Sequence, residues 1–294
     1  LKIKQAIEQF LHHQLANDRS PHTIGAQQRD LNLLLNHFNF DHNIQKITST
    51  DIDGFLLCDP VQKQSNGQPK MTSSINRTRA SIKGFFRWLI DTGQIVHNPA
   101  IGIQIKHKNR KPPVFLTEDE KRSFLKTIRS HKGWQANRDL VIANLFLHTG
   151  IRLSELVNLN ITNVNLLEKK ITIKAKGGLI VTRFINTKLR AILHRYLKAR
   201  KQVFTDSEAL FLSQLQNRIT TRQIQRRLDQ WIVKAGISKR ITPHSLRHSF
   251  ATSLYARTSN ILVVQQALGH ASVNTTEIYA HLLDETLEDA LETL

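Results

Sequence analysis

The stretch that most constrains this chain is "IKHKNRKPPVFLTEDE", residues 105–120. A basic run meets Pro112-Pro113, a stiff pair that no helix continues through. Thr117, with Glu120 three residues on, is a capping-box signature that starts a new helix. Together they divide the chain and place a domain boundary between about residues 104 and 115.

Both parts read as mainly helical. In the first, Leu31, Leu34, Leu35 and Phe38 keep the i, i+3, i+4, i+7 spacing of one buried helix face. "SSINRTRASIKGFFRWLID" repeats it with Ile75, Ile82, Phe85, Phe86 and Leu89. Arg79, Lys83 and Arg87 form a basic stripe on another side of that helix. Such a stripe is either a solvated face or a row of phosphate contacts. The second part has one strand interlude. Ile171 and Ile173 alternate with Thr172 and Lys174, the period of a strand. Gly177-Gly178 can supply the positive φ of a hairpin turn, which puts Lys176 at its tip. Helix resumes through Leu189, Ile192, Leu193 and Leu197. The expectation is a mainly α chain with a small β-sheet or hairpin.

Charge narrows the partner. Forty-two Lys and Arg against 23 Asp and Glu leave +19, with a pI near 10.3. That balance points to a polyanion, and nucleic acid fits better than a membrane surface because no basic amphipathic anchor stands out. No apolar run is long enough to span a bilayer. The one cysteine, Cys58, excludes an intrachain disulfide and fits a reducing compartment. The sign reverses at the end: His281–Leu294 holds five acidic residues and no Lys or Arg. There Leu283, Leu287, Ala290, Leu291 and Leu294 share a helical face, with Asp284, Glu285, Glu288 and Glu292 around it. Such a helix needs a protein surface to cover it.

Three stretches carry chemistry. In "ITPHSLRHSFATSLYA", Thr242 can cap a helix whose first turn holds Pro243. His244 and Arg247 then lie at a helix N-terminus, where free N–H groups and the helix dipole favour an anion. His244 and His248 are also spaced for a metal. However, no glutamate sits between them in the H-E-x-x-H manner, and the dipole repels a cation. In "LFLHTGIRLSELVNL", Gly150 can end one helix in the left-handed conformation, and Arg152 stands before the next. Arg152 needs an anionic partner there; Glu155 offers a structural ion pair and a phosphate offers another. In "VVQQALGHASVNTTEIYAHL", Gly269 ends a helix, His270 follows, and Ser272 or Asn274 can cap a short helix carrying Tyr279. Two arginines can clamp the non-bridging oxygens of a phosphodiester. A hairpin lysine can protonate the leaving oxygen, and a tyrosine can attack phosphorus. Neither a Walker loop nor a carboxylate cluster for two-metal chemistry is evident, so metal and cofactor are both expected to be absent.

In these boxes the chain resembles the tyrosine recombinases, or phage integrase family, and among them the compact Xer-like members. "HTGIRLSEL" resembles the first arginine box, "HSLRHSFAT" the second, and "LGHASVNTTEIYAHL" the box of the final histidine and nucleophile. The resemblance covers nearly the whole chain. It implies Arg152 and Arg247 as the phosphate clamp, and His244 as a group that assists proton transfer and holds the phosphate. His270 would orient the site, and Tyr279 would form a 3′-phosphotyrosyl link and release a 5′-OH. Lys176 matches the general acid, with Lys174 as competitor. "AKGGLIVTR" departs from the family pattern, with Ala175 for a glycine and Arg183 set further along. The implied architecture is a two-domain, C-shaped DNA clamp. Residues 1–105 form a helical SAM-like core-binding domain, 106–115 a basic linker, and 116–294 a mixed α/β catalytic domain. Arg79, Lys83, Arg87, Lys106, Lys108, Arg110 and Lys111 are its DNA-contact candidates.

The implied partner is double-stranded DNA with inverted half-sites, bound by a homodimer and, in the synapse, a tetramer. Accessory DNA-bending proteins or a partner recombinase can join, and the tail 283–294 is expected to exchange between subunits. The implied place is the cytoplasm, at the bacterial nucleoid. No arm-binding domain is evident ahead of residue 1, which favours a simple recombinase. A type IB topoisomerase would use the same chemistry without synapsis, and a non-catalytic DNA-binding protein on the same fold would form no adduct.

Overall fold

A computed structural model describes residues 1–105, 112–174 and 178–269. Its contacts divide the chain into two compact units, Leu1–Arg110 and Lys111–Leu294.

The first unit is helical: α1 (Ile3–Ala16), α2 (Pro21–Phe38), α3 (Ser49–Leu57), the short α4 (Asp59–Gln62) and α5 (Thr72–Asp91). The predicted apolar faces form its core, with Leu31 and Leu34 of α2 buried against Ile82, Phe85, Phe86 and Leu89 of α5. A polar contact hidden from sequence periodicity sets the register of these two helices. Asp30 is 1% exposed. It accepts from Arg77 Nη2 at 2.8 Å, Thr78 Oγ1 at 3.0 Å and Ser81 Oγ at 2.8 Å. A buried carboxylate is tolerable only when satisfied in this way.

The basic stripe of α5 is partly engaged within its own unit. Lys83 Nζ donates to the Ile103 carbonyl at 2.9 Å, and Arg79 Nη1 to that of Gln104 at 3.2 Å. Arg87 pairs with Asp91 at 2.8 Å and keeps 74% of its side chain exposed. Lys106, Lys108, Arg110 and Lys111 lie outside the described residues.

The second unit is built on α7 (Trp134–Thr149). Val141, Ile142, Ala143, Leu145, Phe146 and Leu147 are all buried, so α7 is covered on every side and lies in the middle of the unit. Around it pack α6 (Glu118–Ser130), α9 (Thr187–Arg200), α10 (Thr221–Lys234) and α11 (Pro243–Thr258). The expected capping box starts α6: Thr117 Oγ1 accepts from Glu120 N, and Glu120 Oε2 accepts from Thr117 N. Asp139 of α7 accepts from Arg138 at 2.8 Å, Arg227 Nε at 2.7 Å and Trp231 Nε1 at 2.8 Å, which fastens α10 to α7.

The strand interlude is an antiparallel sheet, with β2 (Lys170–Lys174) paired to β3 (Ile180–Phe184). A short strand β1 (Val164–Asn165), not foreseen from the sequence, adds to the far edge of β2. Gly178 takes φ +79°, consistent with the turn expected there. Residues 175–177, Lys176 among them, lie outside the described residues. The architecture is therefore mainly α with a small three-stranded sheet. No helix among the described residues is long and apolar enough to cross a membrane.

Candidate active site

The site forms where three chain reversals meet: the end of α7, the start of α11, and the end of α12 (Ile261–Leu268). Each is set by local chemistry. Gly150 ends α7 at φ +58°, the left-handed cap that glycine adopts most readily. Gly269 ends α12 in the same way at φ +62°. Thr242 caps α11, accepting from Ser245 N at 3.2 Å, and Pro243 occupies the first turn. Ser249 Oγ accepts from Leu116 N at 2.8 Å and donates to the Ser245 carbonyl at 2.9 Å, which anchors α11 to the segment entering α6.

These reversals bring Arg152 and Arg247 together. Arg152 precedes α8 (Leu153–Val157), and its Nη1 donates to Glu155 Oε1 at 2.8 Å, so the ion pair anticipated from sequence exists. Its side chain is still 42% exposed, and Nη2 lies 3.5 Å from the Gly269 carbonyl. Arg247 is 3% exposed. Its Nη1 donates to the Gly150 carbonyl and its Nη2 to that of Leu268, the latter at 2.7 Å. One guanidinium is thus open and one is buried. Both are aimed by carbonyls at helix ends, which carry partial negative charge and suit a cation.

His244 lies in the first turn of α11, and its ring stacks edge-to-face on His248 at 4.4 Å between centroids. Partial burial, then Arg247 and Arg152, hold the His244 ring below the usual histidine value. It is therefore neutral at physiological pH and able to accept a proton. Among the described residues no cluster of three His, Cys, Asp or Glu could hold a metal.

Arg183 of β3 joins the cluster and was not singled out from the sequence as a functional residue. Its Nη2 donates to the Leu268 carbonyl at 2.9 Å, the oxygen that Arg247 also takes. Strand alternation held the signal: Arg183 occupies the buried register of β3 opposite Ile171, where an apolar residue is expected. His270 and Tyr279 lie outside the described residues, as does the acidic tail. Of the tyrosines within them, Tyr196 is buried. Its hydroxyl donates to the Leu210 carbonyl at 2.9 Å, and burial raises its pKa far above the ordinary phenol value. Tyr255 of α11 is partly buried against the small cluster of Ala251, Val264 and Leu268.

Gly150 carries two loads, the left-handed cap and a carbonyl for Arg247. A Cβ there would stand 2.5 Å from Phe250 Cδ1 and 2.9 Å from Leu268 Cδ2. Gly150→Ala should therefore destabilise the protein by about 2–4 kcal/mol, from backbone strain plus overpacking. Thermal unfolding checks this, and an unshifted melting temperature would show that Phe250 and Leu268 yield freely.

Comparison with known proteins places the chain in a family. Residues 114–286 match the model of the phage integrase family, and residues 7–93 match the phage integrase N-terminal SAM-like domain. The chain is 31% identical over 284 residues to tyrosine recombinase XerC of Lactobacillus delbrueckii subsp. bulgaricus, covering 94% of this chain and 93% of that protein. It is 32% identical over 296 residues to tyrosine recombinase XerD of Oceanobacillus iheyensis, covering 98% and 97%. Among solved structures it resembles the XerA recombinase (TM-score 0.57, 28% identity, 99% and 98% covered). It shares the fold of the Tn1549 transposon integrase in complex with transposon right end DNA (TM-score 0.75, 22% identity, 100% and 99% covered).

The chain belongs to the phage integrase family of tyrosine recombinases. It is a site-specific DNA recombinase, an enzyme that transfers DNA strands, and such enzymes need neither ATP nor a metal cofactor.

Proposed function

We propose that Arg152 and Arg247 clamp the scissile phosphate of this recombinase. The observation that carries this reading is the pair of guanidiniums aimed by the Gly150, Leu268 and Gly269 carbonyls, directly ahead of His270 in the chain. The clamp offsets the charge that gathers on the non-bridging oxygens as phosphorus becomes five-coordinate. The Tyr279 oxygen attacks phosphorus and the bond to the 5′ oxygen breaks. The phenolic proton passes to a base, a role that neutral His244 suits, and Lys176 protonates the leaving 5′ oxygen. The 3′-phosphotyrosyl bond keeps the phosphoryl group activated, so a second 5′-OH reverses the step and rejoins a strand.

In this reading the protein binds double-stranded DNA through both of its units. Residues 1–105 are the core-binding domain, 106–115 the linker and 116–294 the catalytic domain. Arg79, Lys83, Arg87 and the 106–111 basic run contribute phosphate contacts. Two protomers fill inverted half-sites and two such pairs form the synapse at the nucleoid, with an accessory DNA-bending protein or a partner recombinase where the site requires one. Structural neighbours of the same fold, solved in complex with DNA, support DNA as the partner.

A nicked suicide duplex carrying the chain's own recombination site tests the chemistry. A covalent adduct should accumulate in excess EDTA, because arginines supply the charge a metal would otherwise provide. Loss of cleavage in EDTA with recovery in zinc would transfer the role to His244 and His248. Relaxation of plasmids lacking the site, without strand exchange, would favour a topoisomerase.

A further inference from the structure

Arg183 takes no part in the chemistry set out above, yet it is a costly residue to bury. It is 6% exposed, and no carboxylate among the described residues lies within ion-pair distance of it. Its Nη2 shares the Leu268 carbonyl with Arg247. Its Nε is buried without an acceptor among the described residues. Burial lowers its pKa, Glu155 opposes that, and Arg152 adds to it, so all three groups lie within Coulombic range. Glu155 is already bonded to Arg152. Among the described residues, the guanidiniums of Arg152, Arg183 and Arg247 therefore lie near Glu155 and the helix-end carbonyls. The buried charge of Arg183, beside the part-exposed Arg152 and with no carboxylate of its own among the described residues, is unfavourable until an anion enters. A glutamine could donate to the Leu268 carbonyl without that cost, so the hydrogen bond alone does not account for an arginine.

From these contacts we infer that Arg183 is a third, charge-compensating guanidinium of the phosphoryl-transfer site, which also holds the α12 carbonyl in common with Arg247. The inference rests on the reading of Arg152 and Arg247 as the phosphate clamp. Arg183 forms and breaks no bond. The Tyr279 oxygen–phosphorus bond forms as the bond to the 5′ oxygen breaks, and Arg183 offsets negative charge that is greatest between those events.

A change of substrate charge tests it. Full-length Arg183→Gln and Arg183→Lys are compared with the unaltered chain on a nicked suicide duplex whose scissile linkage is either a phosphodiester or an uncharged methylphosphonate. Arg183→Gln should cleave the phosphodiester about 10- to 100-fold more slowly, bind half-sites normally, and come within about threefold of the unaltered rate on the methylphosphonate. Arg183→Lys, which keeps the charge, should fall between the two on the phosphodiester. Arg183→Gln should also melt no lower than the unaltered chain. An equal slowdown on both linkages, or normal cleavage of the phosphodiester, would overturn the inference. Arg247→Gln in the same assay keeps the two readings apart. If Arg247→Gln cleaves the phosphodiester normally, the clamp reading fails and the inference falls with it; if Arg247→Gln is slowed while Arg183→Gln is not, the clamp reading holds and the inference alone fails.

Discussion

Tyr279→Phe should form no covalent complex with DNA while binding half-sites as tightly as the unaltered chain. On the proposed reading this removes the attacking oxygen, so adduct formation should fall by about 10⁴-fold or more. Affinity should hold because it comes from many Lys and Arg contacts to phosphates, in a chain of net charge +19, and a single phenol adds little. The structure leaves little room for a substitute. Tyr196 is buried and committed to the Leu210 carbonyl, with its phenol held protonated. Tyr255, on α11, packs against the cluster of Ala251, Val264 and Leu268. A suicide duplex followed by denaturing electrophoresis reads the result directly. A normal adduct from Tyr279→Phe would move the nucleophile to Tyr255, to be tested by Tyr255→Phe.

Arg247→Lys should also be strongly damaging despite keeping the charge. Arg247 donates from two nitrogens in different directions, to Gly150 and to Leu268, and is almost fully buried. A lysine presents one compact ammonium that cannot hold both carbonyls and also meet a phosphate oxygen. The cleavage rate at saturating DNA should fall by about 10²- to 10³-fold, the usual loss when one donor to a developing oxyanion is removed. Half-site affinity should change little, which places the defect in the transition state. Unimpaired single-turnover cleavage by this variant would reduce Arg247 to a structural brace between α7 and α12.

Much of this protein was legible in the sequence because the determining forces are local. Helix faces repeat with the helical period, so Leu31, Leu34, Phe85 and Phe86 announced the core that α2 and α5 share. Caps are short-range, so Thr117 with Glu120, Thr242 with Pro243, Gly150 and Gly269 marked helix ends that the structure contains. The alternation of Ile171 and Ile173 marked β2. The order of the three boxes pointed to the family. What tertiary structure alone decided is which side chains meet. The Asp30 contacts, the Asp139 contacts and the convergence of Arg152, Arg183 and Arg247 on helix-end carbonyls join residues far apart in sequence, and no period encodes them. Arg183 illustrates this best. Along the chain it is one more cation in a basic protein. Folding withdraws it from water and places it beside two other guanidiniums, where burial gives its charge a cost, and hence a role, that it lacks in the extended chain.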